Sequence, residues 1–76
     1  FQTPLVTAPR IAPNLWFKLE SCLPTGSYKD RFVAAELARV MAQRRSLCLA
    51  TSSGNTGSSL AAHCARHGLA CVILVN

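Results

Sequence analysis

The amino-acid sequence predicts an α/β fold, a parallel sheet flanked by helices. Short apolar runs typical of buried strands occupy residues 46–50 and 70–75. Apolar residues recur at helical spacing in the segments before and between these runs. Turns of a few residues join the segments, and strands that alternate with helices in this way form right-handed βαβ units.

The amino-terminal part predicts one strand after an irregular start. Residues 1–14 contain three prolines and leave room for only a short extended piece at residues 5–7. Residues 15–20 are rich in aromatic side chains and alternate in polarity toward their end, which favours a strand. Residues 21–26 contain proline and glycine and are expected to form a loop.

The first helix is expected to begin at Ser27, a good N-cap residue, with Asp30 placed three positions later as in a capping box. An apolar stripe of helical period then follows at Val33, Leu37, Val40 and Met41. The helix leads into the apolar run at residues 46–50, which is short enough to be a buried strand.

The second helix is predicted over residues 56–67, with Gly68 as its C-cap. Its inward face is expected to consist of small residues and one leucine: Gly57, Leu60, Ala61, Cys64 and Ala65. With the last strand at residues 70–75, the order is strand, helix, strand, helix, strand. This order predicts two successive βαβ units in one parallel sheet.

Composition indicates a piece of a larger core. Half of the 76 residues are hydrophobic and only 14% are charged, which is apolar for so short a chain. We therefore expect residues 1–76 to be part of an amino-terminal domain whose remainder lies elsewhere. The net charge of +5 comes from scattered basic residues, a pattern that disfavours a nucleic-acid interface. No signal peptide or long apolar run is present, so we expect no membrane segment and a cytoplasmic location.

Cysteine and histidine spacing argues against disulfides and metals. The four cysteines, which contain no C-x-x-C pair, are Cys22, Cys48, Cys64 and Cys71. Three of the four lie in apolar helix or strand patterns, so reduced, buried, intracellular cysteines are expected rather than a disulfide framework. His63 and His67 are spaced as a zinc pair could be, but no third ligand is evident. We expect both to be exposed helix residues and no metal site.

Residues 24–31, Pro-Thr-Gly-Ser-Tyr-Lys-Asp-Arg, place Lys29 in the first turn of a helix. The helix dipole disfavours a cation there, and desolvation would further favour the neutral amine. A neutral amine can form a Schiff base with an aldehyde. Position alone leaves a second interpretation open, that of a solvent-exposed lysine without a chemical role.

Residues 51–57, Thr-Ser-Ser-Gly-Asn-Thr-Gly, lie where a strand runs into a helix. Ligands of parallel sheets bind beyond such strand ends, and a helix N-terminus favours an anion. The polar side chains around Gly54, which could bind a carboxylate, are Ser52, Ser53, Asn55 and Thr56. An ordinary capping turn is the competing interpretation. A nucleotide phosphate loop is disfavoured because neither glycine-rich phosphate motif is present.

The two motifs together resemble the signatures of the fold-type-II pyridoxal-phosphate enzymes, the family of threonine synthase, cysteine synthase and the threonine and serine dehydratases. The first resembles the family's Pro-Thr-Gly-Ser-(Phe/Tyr)-Lys-Asp-Arg segment, and the second its Ser-Gly-Asn-Thr-Gly loop. The order and spacing of the motifs also match, and the similarity covers essentially the whole chain. The resemblance implies a βαβαβ portion of that family's three-layer domain.

The resemblance implies a role for each site residue. Lys29 would hold pyridoxal 5'-phosphate covalently and then act as the base at the substrate Cα. Asn55 would donate to the ring oxygen of the cofactor. The substrate carboxylate would be held by Ser52, Ser53, Gly54 and Thr56. The family's glycine-rich phosphate cup and the residue facing the pyridine nitrogen come later in such chains, so the 76 residues alone are expected to be inactive.

The Tyr-Lys-Asp-Arg form resembles threonine-synthase-like members most. This implies a lyase of amino-acid biosynthesis that converts O-phosphohomoserine to threonine and phosphate, and a homodimeric parent. A threonine or serine dehydratase and a cysteine synthase are the alternatives within the family, since Leu23 replaces the Asn that many relatives carry. A non-catalytic α/β module that binds an anion or a partner is the alternative from another class.

Overall fold

The computed structural model describes residues 1–75 and contains two helices, one 3-10 turn and four short strands. In chain order the elements are β1 (Leu5–Thr7), β2 (Trp16–Lys18), the 3-10 turn (Glu20–Cys22), α1 (Lys29–Ala42), β3 (Leu47–Thr51), α2 (Asn55–Arg66) and β4 (Ala70–Leu74). All the predicted elements are present, and the helix starts and strand ends differ from the predictions by one or two residues.

The carboxyl-terminal half forms a βαβ unit. Strands β3 and β4 pair in parallel, with Leu47 opposite Ala70 and Thr51 opposite Leu74, and α2 connects them. The predicted α/β class with a parallel sheet is therefore confirmed. The C-cap residue of α2 is His67 rather than the predicted Gly68, which follows it with a φ of 70°.

The first of the two predicted βαβ units is not formed within residues 1–75. Strand β2 pairs antiparallel with β1, with Leu5 opposite Lys18 and Thr7 opposite Trp16, and the two make a separate ribbon. The predicted short extended piece at residues 5–7 provides this partner. Two strands close in sequence pair at a small loop-closure cost, and this local pairing is what the prediction of a single sheet overlooked.

The core lies between the two helices and one face of the parallel sheet. Val33, Leu37 and Cys64 are buried, and the partly buried side chains packed against them are Cys48, Leu60, Leu69 and Cys71. The stripe predicted for α1 therefore contributes its first two members to the core. No disulfide joins the four cysteines among the described residues; Cys64 is buried and Cys48 and Cys71 are half-buried, but Cys22 is exposed, contrary to the expectation of buried cysteines.

The inward face predicted for α2 was partly wrong. Gly57 and Cys64 are buried as expected, but Ala61 and Ala65 are exposed, while Ser59 and His63 are buried. Helix α2 packs against α1 as well as against the sheet. The side of α2 that faces α1 includes the polar residues Ser59 and His63, and an apolar pattern could not reveal them.

The outer face of the parallel sheet is also apolar. The exposed side chains on β3 and β4 include Leu47, Leu49, Val72 and Leu74. Strands of parallel sheets that are covered on both faces have this composition. Neither of the two helices in the described part of the chain is long and apolar enough to cross a membrane.

We expect the Cys64 thiol to be unreactive in the folded protein. Burial raises the pKa of Cys64 to about 12, and the neighbouring Cys48 and Cys71 add to this effect. The thiolate is the nucleophile, so a maleimide at pH 8 should label Cys64 only after unfolding in urea. Peptide mass mapping provides the measurement. Equal labelling of Cys64 in native and urea-treated protein would show that the site is open.

Candidate functional site

Lys29 is the first residue of α1, at the end of a tight loop. Gly26 turns the chain with a φ of 86°, and its N–H donates to the Leu23 carbonyl at 2.9 Å. The N-cap residue of α1 is Tyr28 rather than the predicted Ser27, although Ser27 Oγ accepts a hydrogen bond from the Lys29 N–H at 3.3 Å. This turn requires a glycine because an L-residue side chain is strained at that φ.

The Lys29 amine is not paired with a carboxylate among the residues that the structure describes. Its Nζ lies 5.2 Å from the centroid of the Tyr28 ring, and the side chain is half-buried. The neighbouring acids, Glu20 and Asp30, are paired with Arg31 and His63. Among the described residues, the Lys29 amine therefore lies against an aromatic ring and outside the ion pairs of its neighbours.

Asp30 is the most constrained polar side chain of the site. It is completely buried, and its carboxylate accepts hydrogen bonds from the Thr25 N–H at 2.7 Å and the Thr25 hydroxyl at 2.6 Å. The Ser59 hydroxyl donates to Asp30 Oδ1 at 2.5 Å. The predicted capping box was therefore wrong in its partner, because Asp30 accepts from Thr25 and from α2 rather than from the Ser27 N–H.

His63 completes this cluster, and the expectation that it is exposed was wrong. His63 is 5% exposed, and its Nε2 lies 3.1 Å from Asp30 Oδ1. An ionised carboxylate can only accept, so Nε2 carries the hydrogen of this bond. Ser59 and His63 are four residues apart and share one face of α2, which is how both reach the same carboxylate. His67 is exposed, as expected.

The cluster keeps Asp30 ionised. Burial raises the pKa of a carboxyl group, but the hydrogen bonds from Ser59 and Thr25 outweigh this effect, and the pKa of Asp30 falls to about 2. The buried charge therefore has four donors and is fully hydrogen-bonded. We call Thr25, Asp30, Ser59 and His63 the Asp30 cluster.

Arg31 attaches the same helical turn to the amino-terminal segment. Its Nε donates to Glu20 Oε1 at 2.5 Å and its Nη2 to Glu20 Oε2 at 3.0 Å. Arg31 Nη1 also donates to the Phe1 carbonyl, and Thr3 donates to the same glutamate. The hydrogen bond from Arg31 lowers the pKa of Glu20 to about 2. The two residues after Lys29 thus contact different parts of the chain: Asp30 binds α2, and Arg31 binds the amino-terminal segment.

The second loop is organised by Ser52. Its Oγ accepts hydrogen bonds from the Gly54 N–H at 3.2 Å and the Gly57 N–H at 2.9 Å, so it satisfies two backbone donors around the start of α2. Ser53, Gly54 and Asn55 are exposed, and Thr56 is half-buried. A Cβ added at Gly54 would meet nothing within 4 Å, so the backbone there is open to a ligand.

A polar hollow of about 220 Å³ lies at the carboxyl ends of β3 and β4. Among the described residues, it is lined by Thr51, Ser52, Ser53 and Leu74. This is the edge of the sheet where the sequence placed a ligand. Lys29 and Asn55 lie outside this lining. The structure also contains a larger groove, of about 440 Å³, between α1, β3 and α2. Its lining is mainly apolar, and Thr56 is the one predicted site residue among the described residues that line it.

The Asp30 cluster links the first motif to α2, the helix that begins within the second motif. Lys29 adjoins Asp30, and Asn55 begins α2 four residues before Ser59, which is about 6 Å of helix rise. Sequence reasoning missed Asp30, Ser59 and His63 as partners. Two sequence features could have indicated this cluster. One is an acid in the first turn of a helix in a chain with only three acidic residues, and the other is a serine and a histidine at i, i+4 spacing. Residues 1–75 contain no group of three or more His, Cys, Asp or Glu arranged to hold a metal ion.

Comparison with known proteins gives one consistent result. A model of the pyridoxal-phosphate dependent enzyme family matches residues 1–76. The chain is 38% identical over 77 residues to threonine synthase of Mycobacterium leprae (strain TN) and 34% identical over 77 residues to threonine synthase of Bacillus sp. (strain ULM1), and both alignments cover 96% of the chain. It is 39% identical over 62 residues, 82% of the chain, to threonine synthase of Methanocaldococcus jannaschii.

These alignments cover 21%, 22% and 15% of the three relatives. The chain therefore spans about a fifth of the length of the curated relatives that match most of it.

We expect Gly57→Ala to destabilise the second loop. A Cβ at Gly57 would lie 3.1 Å from Ser52 Cβ and 3.2 Å from Ile73 Cγ2, closer than ordinary contact. Displacing the serine that accepts two backbone hydrogen bonds should cost about 1–3 kcal/mol in the free energy of unfolding. Gly54→Ala is the matched control and should cost about 0.5 kcal/mol or less, because the space around Gly54 is open. Urea unfolding compares the two variants, and equal losses would contradict the close approach.

We expect the folded protein to lose stability as the pH falls from about 4 to about 2. The pKa values of Asp30 and Glu20 are lowered from 3.8 and 4.5 to about 2. In this pH window the unfolded chain therefore binds more protons than the folded protein. The stabilisation contributed by the two ionised carboxylates is present above the window and is lost as the pH falls through it.

The test follows the free energy of unfolding of Asp30→Asn against pH. The variant should be less stable than the wild type at pH 7, and this difference should shrink as the pH approaches 2. Glu36→Gln, which removes an exposed carboxylate paired with Arg39, should change little at any pH. A difference between wild type and Asp30→Asn that stays constant from pH 7 to pH 2 would contradict the lowered pKa.

Proposed function

The chain belongs to the pyridoxal-phosphate-dependent enzymes, and from this membership we propose that it carries the cofactor lysine and the substrate-carboxylate loop of a threonine synthase. The observation that carries the proposal is the junction of the two motifs by the Asp30 cluster, which holds the start of α1 against α2. The cofactor expected from the sequence, pyridoxal 5'-phosphate, is confirmed by the family.

The residues of the site fit this cofactor. The Lys29 amine begins α1 and has no carboxylate partner among residues 1–75, so no ion pair blocks its approach to an aldehyde. The open backbone at Gly54 allows an anionic group to approach the loop closely. The exposed Asn55 amide begins α2 beside this backbone and has a donor to offer a ring oxygen.

Each residue would then have a defined role. Lys29 would bind the cofactor aldehyde and later accept the proton from the substrate Cα. Ser53, Gly54 and Thr56 would hold the substrate carboxylate with hydroxyl and backbone donors. The bound cofactor supplies an electron sink for the charge that develops at Cα. Asn55 would orient the cofactor ring through its oxygen.

Ser52 would both shape the loop and contact the substrate. Its oxygen already accepts from the Gly54 and Gly57 N–H groups, and these two bonds use its acceptor capacity. The hydroxyl hydrogen is still available to donate to a carboxylate. Ser52 would therefore present one donor from a fixed position, which reduces the entropy lost when the substrate binds.

The relatives reported above support the choice of reaction. All three are threonine synthases, so they favour conversion of O-phosphohomoserine to threonine and phosphate over the dehydratase and cysteine synthase alternatives. Family membership disfavours the non-catalytic anion-binding module. We propose the activity for the longer, homodimeric and cytoplasmic parent rather than for the 76 residues alone, since they span about a fifth of the length of such relatives.

A substrate comparison on the parent separates these reactions. O-phospho-L-homoserine should release phosphate and threonine in equal amounts. L-threonine or L-serine alone should release little ammonia, and O-acetylserine with sulfide should give little cysteine. Faster turnover of either of these other substrates would assign the chain to the corresponding alternative.

We expect Lys29→Ala in the parent to abolish covalent attachment of the cofactor. Activity should fall by several orders of magnitude, about 10³-fold or more, because the covalent bond and the Cα base are lost together. Lys29→Arg should be nearly as inactive, since a guanidinium stays protonated. The measurement is borohydride reduction followed by peptide mass mapping.

The control for this experiment is Lys18→Ala. Lys18 lies in β2, and its Nζ donates to the Thr3 carbonyl at 3.4 Å, so the variant should keep the attached cofactor. Recovery of reduced cofactor on Lys18, or a visible absorption band of bound cofactor that survives in Lys29→Ala, would overturn the assignment of Lys29.

A further inference from the structure

We propose that Asp30 is a positioning residue that sets the distance between the Lys29 amine and the carboxylate-binding loop, acting through Ser59 and His63. This inference rests on the proposed function and adds to it a determinant of amino-acid substrate binding. In this proposal Asp30, the residue that follows Lys29 in the first motif, has a role distinct from that of the lysine.

The contacts of Asp30 link both halves of the site. On one side Thr25, in the loop that leads to Lys29, donates two hydrogen bonds at 2.7 and 2.6 Å. On the other side Ser59 and His63 donate to the same oxygen, Oδ1, at 2.5 and 3.1 Å. One rigid carboxylate therefore fixes the loop before Lys29 relative to the face of α2.

The position of Asp30 makes this link direct. Lys29 is its neighbour in sequence, and Ser59 lies one helical turn after Asn55, where α2 begins. No flexible segment separates the cluster from either motif on these two helices. A shift of the carboxylate would move the amine relative to the loop at Ser53 and Thr56.

Stability alone does not explain the cluster. Val33, Leu37 and Cys64 already pack the two helices together with apolar contacts. A buried charge is often no more stabilising than apolar residues of similar volume, because its desolvation offsets the attraction. Hydrogen bonds do provide fixed directions and distances, which apolar contacts do not.

The substrate makes the distance important. An amino acid that reacts at Cα must reach the cofactor on Lys29 while its carboxylate binds at the loop. A change in this separation weakens substrate binding, since one of the two ends loses its contact. Covalent attachment of the cofactor requires only Lys29 and should persist.

The test uses Asp30→Asn in the full-length parent. The asparagine keeps the shape but presents an amide to donors that need a carboxylate. We expect KM for the amino acid turned over in the substrate comparison to rise at least tenfold. The dissociation constant of the same amino acid, measured by titration of the visible cofactor band, should rise equally. Borohydride should still attach one cofactor to Lys29.

Two further variants separate positioning from folding. Ser59→Ala removes one of the two hydrogen bonds between Asp30 and α2 and leaves that of His63, so it should raise KM by a smaller factor. It provides the test if Asp30→Asn does not fold. Glu20→Gln is the matched control, because it loosens the same turn of α1 from the amino-terminal segment without touching α2. It should lower stability and leave KM unchanged, since loss of folded protein reduces the apparent kcat alone.

The outcomes distinguish the inference from the proposed function. Wild-type protein that attaches no cofactor at Lys29 would overturn the proposed function. Attachment at Lys29 with an unchanged KM in Asp30→Asn, or in Ser59→Ala where Asp30→Asn does not fold, would overturn the positioning role alone. An equal rise of KM in Glu20→Gln would also overturn it, because any loosening of α1 would then suffice.

Discussion

The arrangement of the two helices depends on one buried charge, the carboxylate of Asp30. Four hydrogen bonds from three residues compensate for its removal from water, and these residues come from the loop before α1 and from the middle of α2. An apolar contact tolerates a small sliding of one helix over the other, but a carboxylate with four donors tolerates very little. The helix starts that carry the two motifs therefore have a defined separation.

Much of the fold could be predicted from sequence because its signals are local, and Gly68 marked the end of α2 to within one residue. The candidate residues Lys29 and Ser53–Thr56 were likewise proposed from consecutive residues in two motifs. The partners of Asp30 could not be recognised in this way. Helical spacing shows that Ser59 and His63 share a face, but the direction of that face depends on where α1 packs, and α1 is distant in sequence.

The pairing of β2 could not be predicted either, because it also depends on contacts that composition does not specify. Residues 15–20 have the composition of a strand, and composition does not specify which partner a strand chooses. In residues 1–75 the partner is β1, a piece of three residues in a proline-rich segment. The parallel sheet was predicted correctly because β3 and β4 are continuous apolar runs joined by a helix. Two strands joined by a helix generally pair in parallel.

The hydrogen bonds of Asp30 also have very different spans along the chain, and this gives the site an order of assembly. The bonds to Thr25 connect residues five positions apart, whereas those to Ser59 and His63 connect residues 29 and 33 positions apart. Closing a short loop costs less entropy than closing a long one, and the amino-terminal part also leaves the ribosome first. The turn around Lys29 can thus form before α2 is synthesised. The Asp30 carboxylate is then already in place when Ser59 and His63 of α2 bind to it.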